Sequence, residues 1–247
     1  MSLFQICYGP EITSIMETIQ KHPGILKADL VRKYQYHNQG DISSLVEAAL
    51  IFLLNLKFIQ VSKKKELVPI FNEEIKEISF LKRLKELVDN AEDPEDPNVI
   101  FSTLYSKLFV MRDELYLKDL YYEANLLFEK MAISQEKINA WKRIMEYFGL
   151  GYRVYGGFYA LPKLKILEDI IEEIGEWEGP LQVFFEEKIN PIIPCVYNRK
   201  VFKGMIYAVL NLHDQELLKL SKMQDLPYTS FGDKNEWNWI RIRGGVK

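Results

Sequence analysis

The residues best able to do chemistry are few and scattered. Glu186-Glu187-Lys188 spells the E-x-K fragment of metal-dependent nucleases. Such sites also need an Asp on a preceding strand, so that carboxylates share a metal while Lys positions water. Here the segment reads as helical and no such strand precedes it. The three histidines, His22, His37 and His213, are not spaced as ligands, and Cys7 and Cys195 lie far from them in sequence. No phosphate-cradling Gly-rich loop, G-x-S-x-G or H-E-x-x-H occurs. Glu172-Glu173 and Glu176-Trp177-Glu178 read as solvated acidic surface rather than general-acid pairs. The expectation is a chain with no catalytic residue, no metal and no cofactor.

Binding chemistry is better represented. Lys63-Lys64-Lys65 sits where a hairpin turn is expected and could touch phosphate, or could be a solvated turn. Gln135, Lys137, Asn139, Lys142 and Arg143 fall mostly off the apolar stripe of a later helix, with Arg153 in the following hairpin. They could face DNA or form an ordinary solvated helix face. Strand alternation at the C-terminal end puts Trp237, Trp239, Arg241 and Arg243 on one face, fit to stack on bases or meet a protein. Leu81 and Leu84, on a connecting helix, are candidates for partner contact.

Bulk charge limits these readings. The net charge is −3, and residues 91–175 carry 10 basic and 15 acidic side chains. A general nucleic-acid coat is therefore disfavoured. No leader-like stretch opens the sequence. The most apolar window, Leu45 to Leu56, is too short to span a bilayer and contains Glu47 and Asn55. With two isolated cysteines, the expected setting is the cytoplasm, away from membranes.

The elements that must position these residues follow from periodicity. Ile12, Ile15, Met16 and Ile19 mark a helix ended by His22-Pro23-Gly24. A second helix spans Lys27 to Tyr36, and Asp41 or Ser43 caps a third, Leu45 to Leu54. Strands are expected at 57–61 and 66–70, with Ser62 to Lys65 turning between them. The order recurs after the acidic linker 89–98: helices Val99–Phe109 and Leu117–Phe128, a third opened by Ser134, then strands 152–155 and 158–161 flanking Gly156-Gly157. Asp29-Leu30 matches Asp119-Leu120, Leu56-Lys57-Phe58 matches Leu150-Gly151-Tyr152, and Val68-Pro69 matches Leu161-Pro162. That register points to an internal duplication. Helical stripes at Ile75–Val88 and Leu164–Ile174 connect the units. In the last part, helices are expected at 181–189, 200–212 and 214–223. Tyr228–Phe231 is expected to pair with a final strand across Gly232-Asp233.

Element order, hairpin position and the junction residues Leu56-Lys57-Phe58-Ile59 and Leu150-Gly151-Tyr152-Arg153 resemble the winged-helix superfamily. The fold this implies is mainly α with small β-hairpins, as tandem winged-helix-like units joined by helices. The units are 1–90, 98–175 and a C-terminal α+β unit at 180–247, itself a degenerate third copy. The superfamily includes transcription regulators and non-reading tandem subunits, such as the kite proteins of SMC-type ATPases. A reading helix needs an exposed polar face. Val46 to Leu54 is apolar nearly all round, so the expected role is a non-catalytic assembly subunit of a multi-protein DNA-handling complex, SMC-like or defensive. It would bind a protein partner, with double-stranded DNA as a second candidate ligand; the alternative is a DNA-binding transcription regulator.

Overall fold

The structure, a computed structural model, describes residues 2–36, 40–71, 73–128, 131–224, 226, 231 and 236–243. About half the chain is helical, with small antiparallel sheets of two or three strands.

One order of elements occurs three times. The first run has α1 (Pro10–Lys21), β1 (Ile25–Leu26), α2 (Lys27–Tyr34), α3 (Ser43–Asn55), β2 (Ile59–Val61) and β3 (Glu66–Pro69). Helix α4 (Glu77–Asp89) follows. The second run has α5 (Pro97–Tyr105), extended by a π-helical turn at Ser106–Val110. Then come β4 (Tyr116–Leu117), α6 (Leu120–Leu127), α7 (Gln135–Tyr147), β5 (Tyr152–Val154) and β6 (Gly157–Tyr159). The third has α8 (Leu164–Ile174), β7 (Trp177–Pro180) and α9 (Leu181–Phe184) with a π-helical turn at Phe185–Ile189. A hairpin, β8 (Val196–Tyr197) and β9 (Lys200–Val201), is inserted there. Helix α10 (Lys203–Asp214), β10 (Lys219–Ser221) and β11 (Trp239–Ile242) complete it. Strand order is the same each time: β1-β3-β2, β4-β6-β5 and β7-β11-β10, with the last strand in the centre and the first strand beside it, two residues long in β1 and β4 and four in β7.

The third helix of each run is stopped in the same way. Lys57, Gly149 and Glu216 all take the left-handed conformation, with φ of 57°, 80° and 61°. Beyond α3, Lys57 N–H donates to Leu54 O and Phe58 N–H to Leu53 O. Beyond α10, Glu216 N–H donates to His213 O and Leu217 N–H to Leu212 O. Such paired bonds satisfy orphan carbonyls at a helix end and turn the chain into the next strand. This cap pairs Lys57 with Gly149, two residues before the Gly151 that residue matching selects.

Several boundaries differ from the periodic reading. The strands β1 and β4 were hidden, because two residues have no period; Leu117 ends a strand instead of opening a helix. The second hairpin turns at Tyr155-Gly156, not Gly156-Gly157, and Gly157 starts β6. No third helix opens at Asp214, which instead ends α10; Leu218 and Leu220 alternate inward and β10 forms there. Tyr228–Ser230 and Gly232-Asp233 lie outside the described residues; Phe231 pairs with Trp237. The last strand instead pairs β10 on one side and β7 on the other.

The chain groups into two compact units, residues 1–102 with 125–147, and residues 103–124 with 148–247. The first has Phe4, Phe52, Phe101 and Trp141 at its centre; the Trp141 indole N–H donates to Phe101 O at 2.9 Å. The second buries Phe109, Phe158, Phe184, Phe185 and Phe202. Helix α3 lies in the first unit with Val46, Ala48, Ala49, Leu50, Phe52 and Leu53 buried, Leu45, Ile51 and Leu54 half-buried, and Ser44 and Glu47 exposed.

The left-handed cap gives a stability test. A side chain at positive φ costs energy that glycine does not. Lys57→Gly and Glu216→Gly are each expected to raise unfolding free energy by about 0.5–1 kcal/mol, read by urea denaturation, whereas Lys57→Val should lower it.

Candidate nucleic-acid and partner surfaces

The Lys63–Lys65 turn is a built loop. The Ser62 hydroxyl oxygen accepts from Lys64 N–H and Glu66 N–H at 3.2 Å, and its hydroxyl donates to Glu66 Oε2 at 3.1 Å. That holds three exposed lysines at the tip between β2 and β3.

Helix α7 differs from its expected character. Ser134 Oγ accepts from Lys137 N–H at 3.3 Å, opening the helix as read from sequence. Its supposed solvated face, however, is covered by the N-terminal segment. Leu3, Phe4 and Cys7 are buried, and Leu3 N–H donates to Asn98 Oδ1 at 2.6 Å. Lys137 Nζ lies 5.9 Å from the Phe4 ring, and the Arg143 guanidinium stacks 4.4 Å from the Tyr8 ring. Lys142 is 6% exposed, so it belongs to the interior and not to a DNA-facing surface. Asn139 is half-buried and accepts from Gln135 at 3.4 Å. Gly9 is required where this segment turns, because a Cβ there would strike the Tyr147 ring. The covering segment was not anticipated; its signal was the apolar Leu3-Phe4 and Cys7 ahead of Gly9-Pro10.

At the other end of the chain, alternation holds. Ile240 and Ile242 point inward, while Arg241 and Arg243 are exposed and Trp237 and Trp239 half-buried. The face is not purely cationic. Arg241 pairs with Glu178 at 3.3 Å, directly opposite on β7, and the Trp239 indole donates to the same carboxylate at 3.2 Å. Trp237 meets His213 edge-on at 5.0 Å. Arg153 is exposed on β5.

Leu81 and Leu84, expected to meet a partner, are buried within this chain on the inner face of α4 and are not available. Exposed apolar side chains lie elsewhere, among them Leu126 and Leu127 at the end of α6.

Neither cysteine is placed for chemistry. Burial, with Glu11 nearby, pushes the Cys7 thiol up to about 12; burial, with Glu186 nearby, raises Cys195 as well. Thiolate is the reactive form, so both are quiet near neutrality. Glu186-Glu187-Lys188 lies in a π-helical turn, and Glu186 accepts from Gln182 at 2.5 Å. Among the described residues, no group of three or more His, Cys, Asp or Glu is placed to hold a metal ion, and no helix is long and apolar enough to cross a membrane. Comparison with protein-family models, curated proteins and solved structures finds no match to this chain.

Docking of the N-terminal segment on α7 is testable through Cys7. Iodoacetamide at pH 8 should alkylate native Cys7 at least about a hundredfold more slowly than the unfolded chain, because the raised pKa leaves little thiolate. Phe4→Ala should loosen the segment and speed Cys7 labelling without changing Cys195, read by peptide mass spectrometry.

Proposed function

We propose that this chain is a non-catalytic assembly subunit made of tandem winged-helix units, working in a multi-protein DNA-handling complex of the SMC-like or defence type. The observation that carries the reading is that neither candidate reading helix presents an open basic face. The open side of α3 is Ser44, Glu47 and the half-buried Ile51 and Leu54, with no basic side chain of its own, and α7 is overlaid by residues 2–9. A groove-reading helix must present side chains to base edges. Helices of this kind act mainly as core, leaving other surfaces to make contacts. The recurring helix–strand–helix–helix–strand–strand order, with one strand order in all three sheets, supports the winged-helix assignment. It also favours a tandem adaptor like the kite subunits over a regulator built around one reading helix.

Protein contact is assigned to exposed apolar side chains, of which adjacent Leu126 and Leu127 on α6 are the sharpest example. The Lys63–Lys65 tip serves as an auxiliary phosphate contact that carries no sequence information.

Affinity purification of the tagged chain from its native host, followed by reconstitution from purified parts, tests the proposal. A stoichiometric partner from a DNA-associated ATPase or effector assembly is expected. Leu126→Glu combined with Leu127→Glu should weaken that complex at least about tenfold, as loss of buried apolar contacts at an interface does. Recovery of the chain alone, together with sequence-selective duplex binding abolished by Lys137→Glu and Arg143→Glu, would overturn it in favour of a regulator.

A further inference from the structure

The second three-stranded sheet carries a row of tyrosines that neither periodicity nor charge singled out. Cross-strand register places Tyr116 of β4 opposite Tyr159 of β6, and Tyr159 opposite Tyr152 of β5. The next row, Leu117, Phe158 and Arg153, belongs to the other face, where Leu117 and Phe158 are buried. Side chains alternate along a strand, so the three tyrosines share the outer face, with strands about 4.8 Å apart.

The Tyr116 ring lies across this sheet. Its hydroxyl donates to Val154 O on β5 at 3.3 Å, and its Cε2 sits 2.9 Å from where a Cβ on Gly157 would be. The ring therefore passes over β6 at the residue that has no side chain. The residue remains 38% exposed. Tyr152 is 39% exposed, and Lys163 Nζ lies 5.6 Å from its ring. Beyond them, the turn places Tyr155 at φ 50° and 92% exposure. A bulky aromatic in a left-handed turn position, packed on nothing, is costly for folding. Asn or Gly would serve that turn better.

Two lysines flank the row: Lys118 follows β4 and Lys163 stands over Tyr152, while Arg153 belongs to the opposite face by register. The acids on the same segments are Glu114 and Asp119, and the Asp119 carboxylate accepts from Tyr122 N–H at 3.0 Å, capping α6. Tyrosine rings on one sheet face, exposed at Tyr116 and Tyr152 and half-buried at Tyr159, with lysines beside them, match the chemistry of nucleobases carried on a phosphate chain. Aromatic platforms of this kind stack unpaired bases and tolerate any sequence. A duplex hides its base faces and could not use the rings.

We propose that the outer face of β4-β6-β5, with Tyr116, Tyr159, Tyr152 and the turn residue Tyr155, binds single-stranded DNA by stacking bases on its tyrosines while Lys118 and Lys163 meet the phosphates. The stacking surface stands on its own geometry; only the choice of DNA over RNA rests on the DNA-handling role proposed above.

Fluorescence anisotropy of a labelled oligothymidylate with the full chain tests this. Salt-dependent binding is expected, tighter than to a duplex of equal length. Tyr152→Ala should weaken it roughly five- to a hundredfold, the range for one stacked base, while Tyr152→Phe retains it. Tyr155→Asn gives the sharpest separation: it suits the turn, so the thermal midpoint should rise, yet binding should fall at least about fivefold. Lys163→Glu should weaken binding and flatten its salt dependence. The proposal is overturned by absence of binding, by tyrosine variants that bind as the parent does, or by preference for the duplex. Binding of RNA with none of DNA overturns the DNA assignment. A protein partner lost in Tyr152→Ala, with no oligonucleotide bound, assigns the surface to protein and also overturns it. None of these outcomes bears on whether Leu126 and Leu127 hold a partner, so the two proposals fail separately.

Discussion

Helix α3 has only a narrow polar edge, the exposed Ser44 and Glu47, and the burial of most of its remaining surface organises the first compact unit. Ile51, Phe52, Leu53 and Leu54 run consecutively through α3, so apolar atoms face every direction around its axis. Neighbours must cover most of these directions. Helix α1 supplies Ile12, Ile15, Met16 and Ile19 from the same unit, and Phe52 meets Phe101 at a centroid distance of 6.0 Å in a T-shaped pair. Fully burying such side chains is worth about 1.5–3 kcal/mol each relative to exposure, so the core forms around α3. What α3 leaves open is Ser44, Glu47 and parts of Ile51 and Leu54, with Glu47 paired to Lys27 and no basic side chain of its own.

Helix α7 reaches a similar condition by another route. Its sequence is amphipathic, with Lys137, Asn139, Lys142 and Arg143 spaced as an outer face. The N-terminal segment then covers much of that face, and the cationic heads are met by aromatic rings instead of water. A guanidinium over a tyrosine ring keeps its charge while its stem packs on apolar surface. Composition alone does not separate a basic face waiting for phosphate from one engaged with the chain's own Phe4 and Tyr8. Only the path of residues 2–9 does so.

The legible parts of the fold were those with long periods. Helices α1, α3, α4, α7 and α8 each present apolar residues at helical spacing, and their existence and approximate limits follow from sequence. The illegible parts were short or locally strained. Strands β1 and β4 have two residues each, which no periodicity detects, although each sets the strand order of its sheet. The helix caps show the same limit. Gly149 announces a left-handed residue, while Lys57 and Glu216 do the same work with side chains that do not advertise it. Residue matching therefore aligned Lys57 with Gly151, and the register shifted by two. The Gly156-Gly157 pair misled for a related reason. One glycine serves the turn and the other clears space for the Tyr116 ring, two demands that look identical in a string of letters.

That division of glycines links the fold to the surface it exposes. A Cβ on Gly157 would strike Leu117 O and fall 2.9 Å from both Lys118 Cα and the Tyr116 ring, so both the backbone and the ring of this neighbouring segment need the space. Packing therefore accounts for Gly157. It does not account for Tyr155 two residues earlier, which holds a left-handed turn position at 92% exposure where a glycine or asparagine would be easier. Local preferences that a fold overrides for no gain in packing mark places shaped by something other than stability. On the described residues of the second unit, the hairpin of β5 and β6 is where that mark is plainest.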